Sequence, residues 1–185
     1  YRPPSKRSGE HIKTNEFWEA RLFVKDDTGF KALLRLLSRA NAEDYFYFTP
    51  RIGLSDLVRA VREGGLILGT GDIHSLFAHR NADKIYDALV KLLDDTQRVI
   101  ELVPVKSAYF DTINAKASQK AIETASRVIY SRPVLYEANA DEARDVMSYI
   151  MQPGSSATHR LRNIPYNRDL HIHTPAALQA MIAAT

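Results

Sequence analysis

The chain has 185 residues, 45% of them hydrophobic and 25% charged, values near globular averages that exclude general disorder and suit one domain of ordinary size. A net charge of +3 and a pI near 9.1 are too mild to argue for nucleic-acid binding by themselves. No cysteine is present, which removes disulfides, thiolate zinc sites and cysteine nucleophiles together and suits the cytoplasm. No apolar run approaches the roughly 18 residues of a membrane span, and no signal peptide is visible.

Residues 1–19 are polar and proline-bearing, and read as a linker or insertion. Pattern begins with RLFVK (21–25), a short apolar run expected as a buried strand. DDTGFKALLRLLSRAN follows. Phe30, Leu33, Leu34 and Leu37 recur at i, i+3, i+4 and i+7, the core face of a helix capped by Asp27 or Thr28. NAEDYFYFTPRIG is an aromatic loop or a short extended piece. SDLVRAVREGG is a second helix, with Ser55 as cap and Gly64-Gly65 as stop. LILGTGD (66–72) is a near-continuous apolar strand of the kind covered on both faces.

ADKIYDALVKLLDD (82–95) is a third helix burying Ile85, Ala88, Leu89 and Leu92. RVIELV (98–103) is a strand, SQKAIETASR (118–127) a helix, and VIYSRPVLYEA a strand broken by Pro133. ADEARDVMSYIM (140–151) is a further helix, QPGSSATHRLRNIPYN a loop, and DLHIH an extended lead into a terminal helix, TPAALQAMIAA. Alternating strands and helices imply right-handed βαβ units and a mainly parallel sheet. A doubly wound sheet and a (β/α) barrel both suit it. A full eight-unit barrel takes about 250 residues, so a barrel here lacks a piece, expected before Tyr1.

The block from Leu22 to Asp26, followed by Gly29-Phe30, Tyr47, Pro50, Arg51 and Ile52, resembles the polymerase-and-histidinol-phosphatase (PHP) domain of bacterial DNA polymerase III alpha subunits. GGLILGTGDI, VIELV, PVLYEANADEARDVMSYI and DLHIHTPAALQAM resemble later segments of that domain in the same order, so the resemblance covers most of residues 20–182. It implies that residues 20–185 form a distorted (β/α) barrel of PHP type lacking its first strand, in a divergent polymerase, phage-encoded versions included. Active members hold up to three metal ions at the carboxyl ends of the strands.

The ligand positions are where this chain departs from that family. Its opening His-x-His strand is not found, and Glu19 stands where it has a histidine before the RLFVK strand. Asp72 replaces a cysteine ligand, and Asp can bind hard cations. Pro104 and Val105 occupy a histidine region. Arg132, Pro133 and Leu135 fall among the last ligands, where two cannot bind a metal and Arg132 would repel one. No histidine lies between His79 and His159. A multi-metal phosphoesterase needs several carboxylates and imidazoles on its ions, so a degenerate site with no catalytic residues and no bound cofactor is expected.

Other residues draw a functional reading and a bland one. His171 and His173 alternate on an extended segment and can face the same way, as metal ligands do. Thr174-Pro175 equally reads as a helix start, with Thr as cap and Pro at the first position. GTGDIHS (69–75) looks like a phosphate-binding glycine turn, making Asp72 and His74 candidate ligand contacts, but it lacks the Lys of a P-loop and the third Gly of a dinucleotide fingerprint. In YFYFTPR (45–51) the aromatics could stack bases, with Arg51 on a phosphate, or simply pack. HRLR (159–162) with Arg168 is a small basic cluster. Glu137, Asp141 and Glu142 suit a helix start.

The leading expectation is a structural, metal-free domain of a replicative DNA polymerase. It would support the polymerase core or dock replisome proteins, and meet DNA only indirectly. Polymerase carboxylates would lie beyond Thr185. One alternative is a zinc- or manganese-dependent phosphoesterase or 3′–5′ exonuclease, with Asp72, His74, Glu101, His171 and His173 converging. Another is an unrelated α/β partner-binding domain, which a flat open sheet would favour.

Overall fold

The computed structural model describes residues 18–47, 49–105, 107–132, 134 and 171–185. Strand β1 (Arg21–Val24) leads into helix α1 (Asp27–Ala40), which packs on β1 and on β4 (Leu66–Gly69). Asp26, one residue before the expected cap, closes the helix start: its Oδ1 accepts from Gly29 N at 2.9 Å.

The buried face of α1 differs from the expected one. Gly29, Ala32, Leu36 and Ala40 turn inward, while Phe30, Leu34 and Leu37 are 52%, 48% and 48% exposed. Close approach is the reason. A Cβ on Gly29 would lie 1.8 Å from the carbonyl oxygen of Gly65, so the helix meets this turn with its small residues, and the bulky stripe is left outside.

A two-stranded hairpin follows, β2 (Phe46–Tyr47) on β3 (Thr49–Pro50). Helix α2 (Leu54–Arg62) is capped by Gly53 without a side-chain bond, in place of the expected Ser55, which lies inside its first turn. Gly64 and Gly65 stop it as expected, with φ of 98° and 73° that favour glycine. Helix α3 (Ala82–Leu92) buries Ala82, Tyr86 and Leu89, whereas Leu92 is 45% exposed and Leu93 takes its place in the core. Strand β5 (Arg98–Leu102) is buried along its whole length, as a strand covered on both faces must be. Helix α4 (Ala108–Glu123) starts well before the expected Ser118, because Ser107 caps it with Oγ accepting from Phe110 N. Strand β6 (Val128–Tyr130) precedes Ser131. The terminal helix α5 (Pro175–Ala183) is capped by Thr174, as its sequence suggests.

The main sheet runs β1-β4-β5-β6. Strands β4, β5 and β6 are parallel, joined by α3 and α4. Strand β1 is antiparallel to β4, with Arg21 opposite Gly69, in a sheet that is otherwise parallel. Among the described residues the architecture is mixed α/β: an open four-stranded sheet with five α-helices. The core gathers Leu36, Leu57, Val61, Leu66, Leu68, Tyr86, Leu89, Ile100 and Ile113. No described helix is long and apolar enough to cross a membrane. The expected helix at 140–151, Glu137, Asp141, Glu142, the HRLR cluster and Arg168 lie outside the described residues.

Candidate functional site

In open α/β sheets, ligands gather outside the carboxyl ends of the parallel strands. Here that edge is built around one carboxylate, Glu101, which is fully buried on β5. The glycine turn after β4 wraps it. Gly71 N donates to Glu101 Oε1 at 2.8 Å, and Thr70 Oγ1 accepts from Glu101 N at 2.9 Å. Gly69 makes room, since a Cβ there would lie 2.3 Å from Oε1. Gly71 has φ 80°, and a Cβ on it would collide with the Glu19 carbonyl oxygen at 2.2 Å. The turn that reads like a phosphate cradle therefore holds an anion supplied by the protein itself.

A buried carboxylate needs compensating charge. Arg21 supplies it. Because β1 is antiparallel, its first residue stands beside the last residue of β4, at the carboxyl edge. Arg21 Nη1 donates to Glu101 Oε2 at 2.8 Å and also to Ser131 Oγ; Nη2 pairs with Asp72 Oδ2. The second oxygen of Asp72 accepts from Ile73 N at 2.6 Å. One guanidinium thus joins groups from β1, the β4 turn, β5 and the end of β6.

Glu19 and His74 flank this cluster. Glu19 N donates to the His74 carbonyl at 3.0 Å, and Glu19 Oε1 lies 3.8 Å from His74 Nε2; both side chains are more than half exposed. From below, Tyr109 on α4 donates its hydroxyl to the Ile73 carbonyl at 2.6 Å. Burial raises the Tyr109 phenol above its ordinary value, which keeps it a donor.

Of the residues singled out from sequence, the structure brings Asp72 and Glu101 together and leaves His74 at their margin. Arg51 follows β3, half-buried, on a different element. The rings of His171 and His173 lie against each other, tilted by 38°, with centres 4.0 Å apart. His173 lines a cavity of about 800 Å³ between α4 and α5, with Val105, Asp111, Asn114 and Met181. Arg21 and Ser131 were not singled out.

The metal ions implied by the resemblance do not suit these residues as they stand. Among the described residues, no group of three or more His, Cys, Asp or Glu is placed to hold an ion. The two inner carboxylates turn their outward oxygens onto a guanidinium, where a metal would have to compete with a tethered cation.

No family model matches the chain. It is similar to DNA polymerase III subunit alpha of Yersinia pestis, with 29% identity over 167 residues that cover 89% of this chain and 14% of that protein. This supports a relation to the DNA polymerase III alpha subunits. The chain spans about one seventh of the length of that relative.

Proposed function

We propose that the chain is a PHP-like domain of a replicative DNA polymerase of the polymerase III alpha kind, with a structural and metal-free role. The carrying observation is the ion-pair cluster in which Arg21 holds Asp72 and Glu101 at the carboxyl edge of the strands. In this reading the described four-stranded sheet is one wall of a PHP-type barrel. The domain supports the polymerase core or docks other replisome proteins in the cytoplasm, and meets DNA indirectly. A divergent polymerase, phage-encoded ones included, is its setting. The similarity to a polymerase subunit over most of the chain supports this assignment.

The test is metal content together with hydrolysis. The full chain is equilibrated with manganese or zinc, passed through a desalting column, and analysed by mass spectrometry for bound metal. A phosphodiester substrate is assayed in parallel with and without EDTA. The expected result is no stoichiometric metal and no EDTA-sensitive hydrolysis. A stoichiometric ion with hydrolysis that EDTA abolishes would replace this reading with that of a metal-dependent phosphoesterase.

A further inference from the structure

Helix α2 divides two recesses, neither of which includes a residue of the Arg21 cluster. Between α1 and α2 lies a notch of about 300 Å³ bordered by Arg35, Arg39 and Arg59. Between α2 and α3 lies a trough of about 770 Å³, lined by Leu54, Val58 and Leu92 and bordered by Arg62. Arg59 and Glu63, one turn apart on α2, line both recesses, so notch and trough share an edge. Four arginines here meet two carboxylates, Asp56 and Glu63. The Asp56 side chain is only 7% exposed. It pairs with Arg39 Nε at 3.2 Å and with Arg59 Nη2, and accepts from the Tyr45 hydroxyl at 3.1 Å. Arg39 Nη2 donates to Tyr45 at 2.9 Å, and Arg35 pairs with Glu63 at 2.6 Å. Arg35, Arg39 and Arg59 are thus held in place, yet their side chains stay 62%, 50% and 63% exposed. A guanidinium carries five N–H donors, and these bonds use one or two of each.

We infer that this groove docks an acidic segment of another protein, which lays aliphatic side chains in the trough and carboxylates on the arginines. A carboxylate matches the guanidinium fork, two oxygens to two donors. Because Asp56, Tyr45 and Glu63 already order three of the guanidinia, a partner has less side-chain entropy to offset. The excess of positive charge attracts acidic partners and repels basic ones. The trough decides against nucleic acid. Phosphates would use the arginines, but bases stack on aromatic faces, and among the described residues no aromatic lines either recess. Charge decides against a second copy of the chain, since a two-fold contact would set the same arginines against each other. This inference deepens the reading of a domain that docks replisome proteins, and the two fail separately. Metal-dependent hydrolysis ends the metal-free reading and leaves the groove untouched, whereas a groove indifferent to acidic peptides ends this one alone.

The experiment pans a phage-displayed library of random dodecapeptides on the full native chain, with counter-selection on the chain carrying both Arg35→Ser and Arg62→Ser. Surviving peptides are synthesised with a fluorescein label, and their Kd is measured by fluorescence polarisation. The expected survivors combine Glu or Asp with Leu, Ile or Met. Their Kd should rise at least about tenfold for the double arginine variant, for Leu92→Ser, and when Gln and Asn replace the peptide's Glu and Asp. Added salt should weaken binding. Arg35, Arg62 and Leu92 are exposed, so both variants should keep the native circular dichroism and melting temperature. If either loses its fold, the neutralised peptide decides. No surviving peptide, survivors without acidic residues, or survivors indifferent to Leu92→Ser or to neutralisation each overturn the inference. A labelled thymidylate oligonucleotide that binds more tightly than the peptides, and is lost in the double variant, replaces it with a nucleic-acid site. A native chain that elutes as a dimer and becomes monomeric with Leu92→Ser replaces it with a contact between copies.

Discussion

Gly69→Ala tests whether the carboxyl edge is organised around Glu101. The backbone at Gly69 is not in the left-handed region, so a methyl there is refused by contact alone. Its Cβ would stand 2.3 Å from Glu101 Oε1 and 3.1 Å from both Glu101 Cδ and the Phe23 ring. Restoring ordinary contact requires the carboxylate to move by about 1 Å. Glu101 is 0% exposed, with one oxygen bonded to Gly71 N and the other to Arg21, each at 2.8 Å. A shift of that size takes at least one bond out of range. Hydrogen bonds to charged groups contribute about 1.5–3 kcal/mol, and alanine in a strand recovers about 0.5–1 kcal/mol over glycine. The expected loss is about 0.5–2.5 kcal/mol, read by urea unfolding followed by circular dichroism. The same change made in a Glu101→Ala background removes the collision with the carboxylate and leaves only the 3.1 Å approach to the Phe23 ring, so Gly69→Ala should there cost clearly less. Equal costs in the two backgrounds would refute the claim that Glu101 is what Gly69 accommodates.

Gly29→Ala sets a Cβ 1.8 Å from the Gly65 carbonyl oxygen; it should destabilise by about 2–4 kcal/mol, against about 1 kcal/mol for Gly64→Ala, where space is open but φ is 98°. Serine at Phe30, Leu34 or Leu37 should each cost less than about 1 kcal/mol, while Leu57→Ala, in the core, should cost about 2–5 kcal/mol; comparable losses in the two groups would mean that the α1 stripe is covered in solution. Tyr109 has its folded pKa raised above 10.0 by burial, so its contribution to stability is complete below pH 10 and is lost as pH rises through the folded value. Ultraviolet titration should lose a late-titrating component in Tyr109→Phe, and that variant should cost about 1 kcal/mol at neutral pH through the lost bond to Ile73.

The order of strands and helices was legible because it rests on local signals: apolar runs for β4 and β5, Gly64-Gly65 as a stop, Thr174-Pro175 as a start. The faces of the helices were less so. Helix α1 carries two apolar stripes a little rotated from each other, one bulky and one small. Periodicity favours the bulky one, but the small one is buried, since the distance to Gly65 decides. Helix α4 was read too short, because AYFDTINAK mixes polar and apolar residues. What makes it helical there is largely tertiary: Asn114 bonds both the N–H and the carbonyl of Val103, at 3.0 and 2.8 Å, and Tyr109 reaches Ile73.

The candidate site shows a sharper limit. Asp72 and Glu101 can be suspected from residue type and from their place after apolar strands. Arg21 cannot. It stands 80 positions from Glu101 and 51 from Asp72, and reaches them only because β1 runs antiparallel to β4, a pairing that leaves no mark on the local pattern. A buried carboxylate requires a positive charge, and a guanidinium fixed by its own strand meets that requirement without the entropy of capturing an ion. The glycine turn follows the same logic, its backbone donor aimed at an anion that is already part of the chain. At this edge, both the anion and the cation that a ligand search would look for outside the protein are found within it.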